Sequence, residues 1–159
     1  MKVSILTVVY NGAATIAHCI DSVLAQDYPN VEYIVVDGNS KDGTQEIVRS
    51  YGDKIARFLS EPDAGIYDAM NKGIQLATGD VVGILNADDF YAYPSVISEV
   101  ASLLSAADVD ASYGDLEYID ASDATLVRRK WVSGAYKVGA FLNGWMPPHP
   151  TFFVKKKVY

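Results

Sequence analysis

The chain has 159 residues, of which 50% are hydrophobic and 21% charged, the size and composition of one globular domain. Its net charge of −7 argues against binding of nucleic acid through a broad basic face, and no apolar run approaches the ~20 residues of a membrane-spanning helix. The N-terminus has no signal-peptide layout, and the single Cys19 cannot form an internal disulfide, so we expect a protein of the reducing cytoplasm.

The first 107 residues predict four strands alternating with four helices. Apolar, β-branched runs with little alternation indicate strands buried on both faces, at residues 2–9, 31–36, 55–59 and 81–85. Apolar side chains at helical spacing indicate helices at residues 13–26, 42–50, 66–77 and 96–104. Asp42 with Gln45 three residues later predicts a capping box for the second helix. This order predicts a parallel sheet with right-handed crossovers and helices on both faces.

The pattern changes after Ala107. Residues 110–120 and 125–132 predict a hairpin or a mixed-sheet extension, residues 135–143 a short helix, and residues 151–154 a last strand. The predicted fold class is therefore α/β, with a mostly parallel sheet flanked by helices and a small hairpin or mixed-sheet extension. We see no linker or repeat, so one domain is expected overall.

Polar side chains follow three of the predicted strands: Tyr10 and Asn11, then Asp37, then the adjacent Asp88 and Asp89. Ligands of open parallel sheets bind beyond the carboxyl ends of the strands, so these groups should line one crevice. Tyr10 offers a flat face for a base, and Asp37 could accept a hydrogen bond from a ring N–H. The loop after the first strand has neither a dinucleotide-binding fingerprint nor a phosphate-binding Walker loop.

Asp88 and Asp89 form the strongest candidate for a metal site. Adjacent carboxylates repel each other unless a cation lies beside them, and oxygen ligands suit Mg²⁺ or Mn²⁺. They lie where ribose hydroxyls and a diphosphate–metal unit could follow the base. A solvated turn that caps the next helix is the alternative reading of the same residues.

The sequence resembles the family 2 glycosyltransferases, which have the GT-A (Rossmann-like) fold. Four blocks carry the resemblance in order, at residues 3–12, 34–44, 63–73 and 83–89. The resemblance implies inverting transfer of a sugar from a nucleotide diphosphate, often UDP, to a hydroxyl of a saccharide or lipid-linked acceptor. It also implies Mg²⁺ or Mn²⁺ as cofactor and a role in cell-surface polysaccharide or glycolipid synthesis. Residues 1–107 would form the nucleotide-sugar-binding half and residues 108–159 the start of the acceptor side.

Two departures from the family pattern matter. The metal motif is usually Asp-x-Asp, and here Asn86 occupies its first position, which leaves Asp88 and Asp89. The family's general base is an acidic residue downstream of the acceptor-side strand, whereas no acidic residue follows Asp123. We therefore expect the chain to be the N-terminal part of a longer enzyme and to lack the base. A nucleotide-binding module without catalysis and another Mg²⁺-dependent phosphate enzyme remain alternatives.

Three further sites are open at this stage. Asp68, near the start of the third helix, fits a nucleotide-binding role and a plain surface role equally. His149 and Trp145 are candidates for the acceptor side, against a structural role in their loop. The basic runs at residues 128–130 and 155–157 read as solvated faces, with contact to the inner face of the membrane as the alternative.

Overall fold

The computed structural model describes residues 1–106 and 108–159, so the predicted boundary at Ala107 lies outside the described residues. A six-stranded sheet has the order β3-β2-β1-β4-β8-β5, and β6 pairs with β7 in a separate antiparallel hairpin. The strands are β1 Val3–Val9, β2 Val31–Asp37, β3 Arg57–Ser60, β4 Val81–Ile84, β5 Ala111–Ser112, β6 Leu116–Ile119, β7 Val127–Trp131 and β8 Phe153–Lys155. The helices are α1 Ile16–Leu24, α2 Thr44–Ser50, α3 Ile66–Leu76 and α4 Val96–Ala106.

The first four strands are parallel, as their apolar runs predicted. Helices α1, α2 and α4 pack on one face of the sheet and α3 packs on the other, which gives two apolar clusters. All seven residues of β1 are buried because both faces of this central strand are covered. Burial of these apolar surfaces supplies the main favourable term for folding. None of the described helices has both the length and the apolar character that crossing a bilayer requires.

Two glycines allow close packing around this core. A Cβ at Gly73 of α3 would lie 2.1 Å from Leu6 Cδ1 of β1, so the helix approaches the strand more closely than alanine would allow. A Cβ at Gly83 of β4 would lie 2.4 Å from the ring of Phe153 in β8. The second contact joins the parallel strands to the antiparallel part of the sheet, because β8 pairs with β4.

The region after Ala107 combines both predicted arrangements. β5 extends the main sheet by pairing with β8, while β6 and β7 form the hairpin. The predicted helix at 135–143 is wrong for most of its length, since only a 3₁₀ turn at Ala140–Asn143 forms. Glycines with positive φ at both of its ends, Gly139 and Gly144, set its limits.

The predicted capping box of α2 is also wrong. The residue that precedes the helix is Gly43, in a left-handed conformation with φ of 101°. The Asp42 carboxylate instead accepts hydrogen bonds from the Thr44 N–H at 3.1 Å and the Thr44 hydroxyl at 2.6 Å. Gln45 donates to the carbonyl oxygen of Ser40 at 2.8 Å, so its side chain stabilises the preceding loop.

Candidate functional site

The sheet order places four loops side by side at the carboxyl edge of the parallel strands. They follow β3, β2, β1 and β4, in that spatial order. Neighbouring strands lie about 4.8 Å apart, so the row extends roughly 14 Å from the first loop to the last. This length is comparable with that of an extended nucleoside diphosphate. The polar groups that the sequence placed after β1, β2 and β4 therefore share one edge.

The loops after β1 and β2 are hydrogen-bonded to each other. The Asn11 N–H donates to Ser40 Oγ at 2.7 Å, and the Lys41 N–H donates to Asn11 Oδ1 at 3.0 Å. Two more backbone amides cross between the loops, from Gly12 to Thr44 Oγ1 at 2.9 Å and from Ala13 to Asp42 Oδ2 at 3.0 Å. Asn11 itself is left-handed, with φ of 51°, a conformation that asparagine tolerates better than most residues. Asn11 thus helps to define the shape of the edge.

Asp37 lies at the end of β2 and is completely buried. Its oxygens accept hydrogen bonds from the Ser40 N–H at 3.0 Å, from the Ser40 hydroxyl, and from the Ser60 hydroxyl at 2.6 Å. The predicted hydrogen bond from a base N–H would need an exposed carboxylate oxygen, and Asp37 has none in this structure. Its contacts connect the loop after β2 to the end of β3.

A carboxylate near this end of the row belongs to Asp63, in the loop after β3, a residue that was not among the predicted site residues. The ring of Tyr10 is 69% exposed and lies beside Gly38. A Cβ at Gly38 would lie 3.2 Å from Tyr10 Cδ2 and 2.7 Å from Asp63 Oδ2, so the aromatic ring and the carboxylate flank the same glycine. Asp63 is half-buried, and its other oxygen accepts the Gly65 N–H at 2.9 Å. The signal available in the sequence was its position at the end of a strand.

Asp88 and Asp89 lie at the other end of the row, after β4. Asp88 is exposed and Asp89 is half-buried. Burial raises the pKa of Asp89 and the adjacent Asp88 carboxylate raises it further, to about 6, although hydrogen bonds from Asn86 lower it. The raised pKa of Asp89 therefore reflects burial first and the neighbouring carboxylate second, and a cation bound beside the two carboxylates would lower it.

The residues at this end fit a hard divalent cation. Besides the two carboxylates, the buried Asn86 Oδ1 has no hydrogen-bond partner among the described residues. Three oxygens of this kind are ligands that Mg²⁺ and Mn²⁺ accept. Across residues 1–106 and 108–159, no three His, Cys, Asp or Glu side chains are grouped closely enough to hold a metal by themselves. A cation here would therefore need further oxygens from phosphate or water.

Asp68 lies in the first turn of α3, which directly follows the loop that contains Asp63. Its Oδ2 accepts the Ala64 N–H at 3.0 Å and lies 3.3 Å from Lys72 Nζ. Hydrogen bonds from Ala64 and then from Lys72 lower its pKa. Asp68 thus orders the start of α3, and its contact with a nucleotide stays a prediction.

The two acceptor-side candidates occupy different surroundings. Trp145 packs against Tyr113, Tyr136 and Phe141, and its indole N–H donates to the Ser133 carbonyl at 3.1 Å. His149 is exposed in the 3₁₀ turn that precedes β8 and contacts β4. Trp145 therefore holds a loop together, while His149 is free to meet a ligand near the end of β4.

Comparison with known proteins identifies the class to which this fold and edge belong. The family model described as glycosyl transferase family 2 matches residues 4–157, almost the whole chain. The chain therefore belongs to glycosyl transferase family 2. An uncharacterized glycosyltransferase of Rickettsia typhi is 45% identical over 106 residues, which cover 67% of this chain and 33% of the relative. The chain thus spans about a third of that relative's length.

Solved structures give the same fold. S. aureus TarS, in complex with UDP-GlcNAc, is 26% identical with a TM-score of 0.65 over 70% of this chain and 33% of its own. The mannosyltransferase PcManGT of Pyrobaculum calidifontis, in complex with GDP-Man and Mn²⁺, is 22% identical with a TM-score of 0.74 over 99% of this chain and 45% of its own. The predicted GT-A fold is confirmed.

Proposed function

We propose that this chain binds a nucleotide-diphosphate sugar, with UDP as the nucleotide, and belongs to an enzyme that transfers the sugar with inversion to an acceptor hydroxyl. One observation carries the proposal: in the row of loops after β3, β2, β1 and β4, the exposed ring of Tyr10 lies against Gly38 in the loop after β2, and paired carboxylates follow β4. The likeness to TarS, which was solved with UDP-GlcNAc, supports a UDP-sugar.

The base would lie at the β2–β3 end. The exposed Tyr10 ring supplies a stacking surface. The lack of a side chain at Gly38 lets this ring and the Asp63 carboxylate lie close to the loop after β2. We assign the hydrogen bond to the base N–H to Asp63, whose carboxylate flanks the same glycine. Asp37 then acts indirectly by holding Ser40 and Ser60, while Asn11 and Asp68 order the loops on either side.

The diphosphate would lie at the β4 end, beside Asp88 and Asp89. We assign Asp89, with Asp88 and the Asn86 amide oxygen, to hold Mg²⁺ or Mn²⁺. When bound, such a cation supplies positive charge that stabilises the departing diphosphate. Asp89 is half-buried, so its attraction to a cation is screened less than in water: about 4 kcal/mol per unit charge pair at 4 Å and an effective dielectric of 20, against about 1 in water.

The acceptor would approach from the side of residues 108–159, with His149 and Trp145 on that side. We propose a saccharide or a lipid-linked saccharide, so that the products are cell-surface polysaccharide or glycolipid. The basic residues after Asp123 favour a position at the cytoplasmic face of the membrane, because they would be attracted to anionic lipid. A base must take the proton from the acceptor hydroxyl, and the family resemblance implies a carboxylate in this role.

Calorimetric titration of UDP tests the donor site. We expect binding with Mn²⁺ and at least tenfold weaker binding with a chelator, and the Pyrobaculum neighbour makes Mn²⁺ the first metal to try. Asp89→Asn should remove most of the metal dependence. Asp53→Asn is the matched control, because Asp53 is exposed in the turn before β3, at the opposite edge of the sheet. Equal affinity with metal and with chelator would contradict the proposal.

The base assignment has its own test. Asp63→Ala should reduce the preference for UDP over other nucleoside diphosphates by roughly tenfold, since it leaves a ring donor without its partner. The midpoint of unfolding, measured in parallel, should change little because Asp63 has only one local hydrogen bond. An unchanged base preference in a folded Asp63→Ala variant would exclude Asp63 from the base site.

A further inference from the structure

The segment between β4 and α4 carries both Asp88 and Asp89 but contains no helix or strand. Segments of this kind are usually more mobile than the elements they connect. Within it, the Asp89 N–H donates to the Asn86 carbonyl at 3.0 Å and closes one turn around the two carboxylates. A local turn does not fix the position of the carboxylates relative to the sheet. Contacts with another element must therefore do so.

Helix α1 supplies these contacts on both sides of the turn. The Cys19 thiol donates to the Asn86 carbonyl at 3.4 Å, and the Tyr91 N–H donates to Ser22 Oγ at 3.2 Å. Cys19 and Ser22 are three residues apart, so they share one face of the helix. Their two partners precede and follow the carboxylate pair in the sequence. The carboxylates are thus held between two hydrogen bonds to one helix face.

The same strip of contacts continues past the end of α1. The Gln26 carboxamide donates to the Tyr93 carbonyl at 2.9 Å and accepts the Ile97 N–H of α4 at 3.1 Å. In the part of the chain that the structure describes, every hydrogen bond from the backbone of residues 86–94 to another element goes to residues 19–27. The path of this segment is therefore set by α1 and the residues that follow it.

An aromatic contact adds to the hydrogen bonds. The His18 ring, on the exposed side of α1, stacks on the ring of Phe90 with the two centroids 4.2 Å apart. Phe90 directly follows Asp89 in the sequence. The stack therefore restrains the chain one residue away from the carboxylate pair.

Helix α1 is itself held firmly against the sheet. Ile16 and Ile20 are completely buried in the core. The Cys19 thiol also lies 3.6 Å from the Thr7 hydroxyl of β1, which is 3.0 Å from the Tyr33 hydroxyl of β2. Through these contacts, the position of the helix face follows that of the two central strands.

We propose that this face of α1 positions the carboxylates for the divalent cation, with Ser22 as a positioning residue; the role of the cation rests on the proposed function. Cys19 and Ser22 hold the two ends of the turn, so that Asp88 and Asp89 are in place before a cation binds. Neither residue needs to touch the cation. Removing a group that orients metal ligands typically costs about 10–100-fold in metal affinity.

The variant Ser22→Ala tests the proposal through two measurements. Electron paramagnetic resonance of free Mn²⁺ gives the Mn²⁺ affinity of the protein saturated with UDP, and we expect it to fall about tenfold. Hydrogen exchange of the ligand-free protein should be faster over residues 86–97, above all at the Tyr91 amide. The thermal midpoint and the UDP affinity in chelator should change little, because Ser22 is only half-buried. Ser22→Thr keeps the hydroxyl and should restore the Mn²⁺ affinity.

Ser50→Ala in α2 is the matched control. The hydroxyls of Ser22 and Ser50 each donate to the carbonyl three residues earlier, at 2.8 and 2.6 Å, but Ser50 is exposed and lies in another helix. Its loss should leave the Mn²⁺ affinity unchanged. His18→Ala, at an exposed position, is an independent variant that removes the stack on Phe90 and should weaken Mn²⁺ about threefold.

The outcomes separate this inference from the proposed function. Unchanged Mn²⁺ affinity in both Ser22→Ala and His18→Ala would overturn the positioning role and leave the proposed function standing. An equal loss in Ser50→Ala would also overturn it, since the effect would then be general to helix serines. A parent protein that binds UDP equally with Mn²⁺ and with chelator would instead contradict the proposed function itself.

Discussion

Every residue of β1 is buried, whereas β7 is exposed at four of its five positions. The parallel sheet is held by burial on both faces, and the hairpin by its own ladder and by ion pairs such as Lys130 with Glu117. Exposed ion pairs add little to stability. The donor half therefore has a packed core of its own, whereas the hairpin is held mainly by the pairing of its two strands. Substitutions of the same chemical kind should therefore have very different effects in the two regions.

Asp37→Ala should have the largest effect. It would leave the donors on Ser40 and Ser60 unsatisfied inside the protein and lower the free energy of unfolding by about 4 kcal/mol. Asp120 in the hairpin accepts comparable hydrogen bonds from Ser122 and Arg128, but near water. Asp120→Ala should leave the urea midpoint close to that of the parent protein. Similar losses for both variants would mean that the hairpin is as well packed as the sheet.

Acid should weaken the sheet through Glu32, which is only 5% exposed. Burial raises its pKa, but hydrogen bonds from Ser4, Thr78 and Lys2 outweigh this and lower the pKa from 4.5 to about 2. The resulting stability is complete above pH 4.5 and is lost as the pH falls towards 2, a change of about 3 kcal/mol. Urea unfolding between those pH values measures it.

Glu32→Gln should reduce the loss of stability between pH 4.5 and pH 2, because the variant lacks the carboxyl group that titrates. Glu117→Gln in the exposed hairpin is the control, and its stability should fall with pH as much as that of the parent protein. An unchanged loss of stability at low pH in Glu32→Gln would mean that other carboxylates cause the acid sensitivity.

Gly83→Ala tests the join between the two regions. The added methyl would lie 2.4 Å from the Phe153 ring, which is 1% exposed and has little space to move. We expect a loss of about 1–3 kcal/mol, typical of an overpacked core. Phe153→Leu in the same chain should recover part of it by making room. A neutral Gly83→Ala variant would show that β8 can shift away from β4.

Lengthening the hairpin turn should have the smallest effect. Two glycines inserted between Ser122 and Asp123 keep the Asp120–Ser122 and Asp123–Thr125 hydrogen bonds. Loop lengthening costs less than about 1 kcal/mol when no packing is lost. The same insertion between Asn39 and Ser40 would displace Ser40 from Asn11 in the β1 loop and from Asp37 at the end of β2, so it should lower the thermal midpoint much further. Equal midpoints for the two insertions would contradict this difference.

The parallel core could be predicted because its signal is local in the sequence. Uninterrupted apolar runs indicate strands buried on both faces, and alternation with helical patterns then leaves few topologies. The edge of the sheet and the position of Asp88 and Asp89 followed from the same rule. By contrast, the capping box predicted at the start of α2 was wrong: the residue before the helix is the left-handed Gly43, and the side chains of Asp42 and Gln45 bond to Thr44 and to the Ser40 carbonyl.

The finer features of the site depend on contacts between distant residues. Asp37 ends β2 and Asp63 follows β3, so both are carboxylates near strand ends in the sequence. In the structure Asp37 is buried with hydrogen bonds from Ser40 and Ser60. Asp63 instead lies beside Gly38 and Tyr10. No spacing rule reports such contacts, because they join residues from separate elements.

The hydrogen bonds between the loops after β1 and β2 have a consequence for binding kinetics. The amides of Asn11 and Lys41 already have side-chain partners in the opposite loop, so the entropy of ordering these segments is lost during folding rather than on ligand capture. A preorganised cradle of this kind does not wait for a slow closing step, and its association rate should be set by diffusion and orientation. Affinity differences among nucleotides should consequently appear in how long each stays bound.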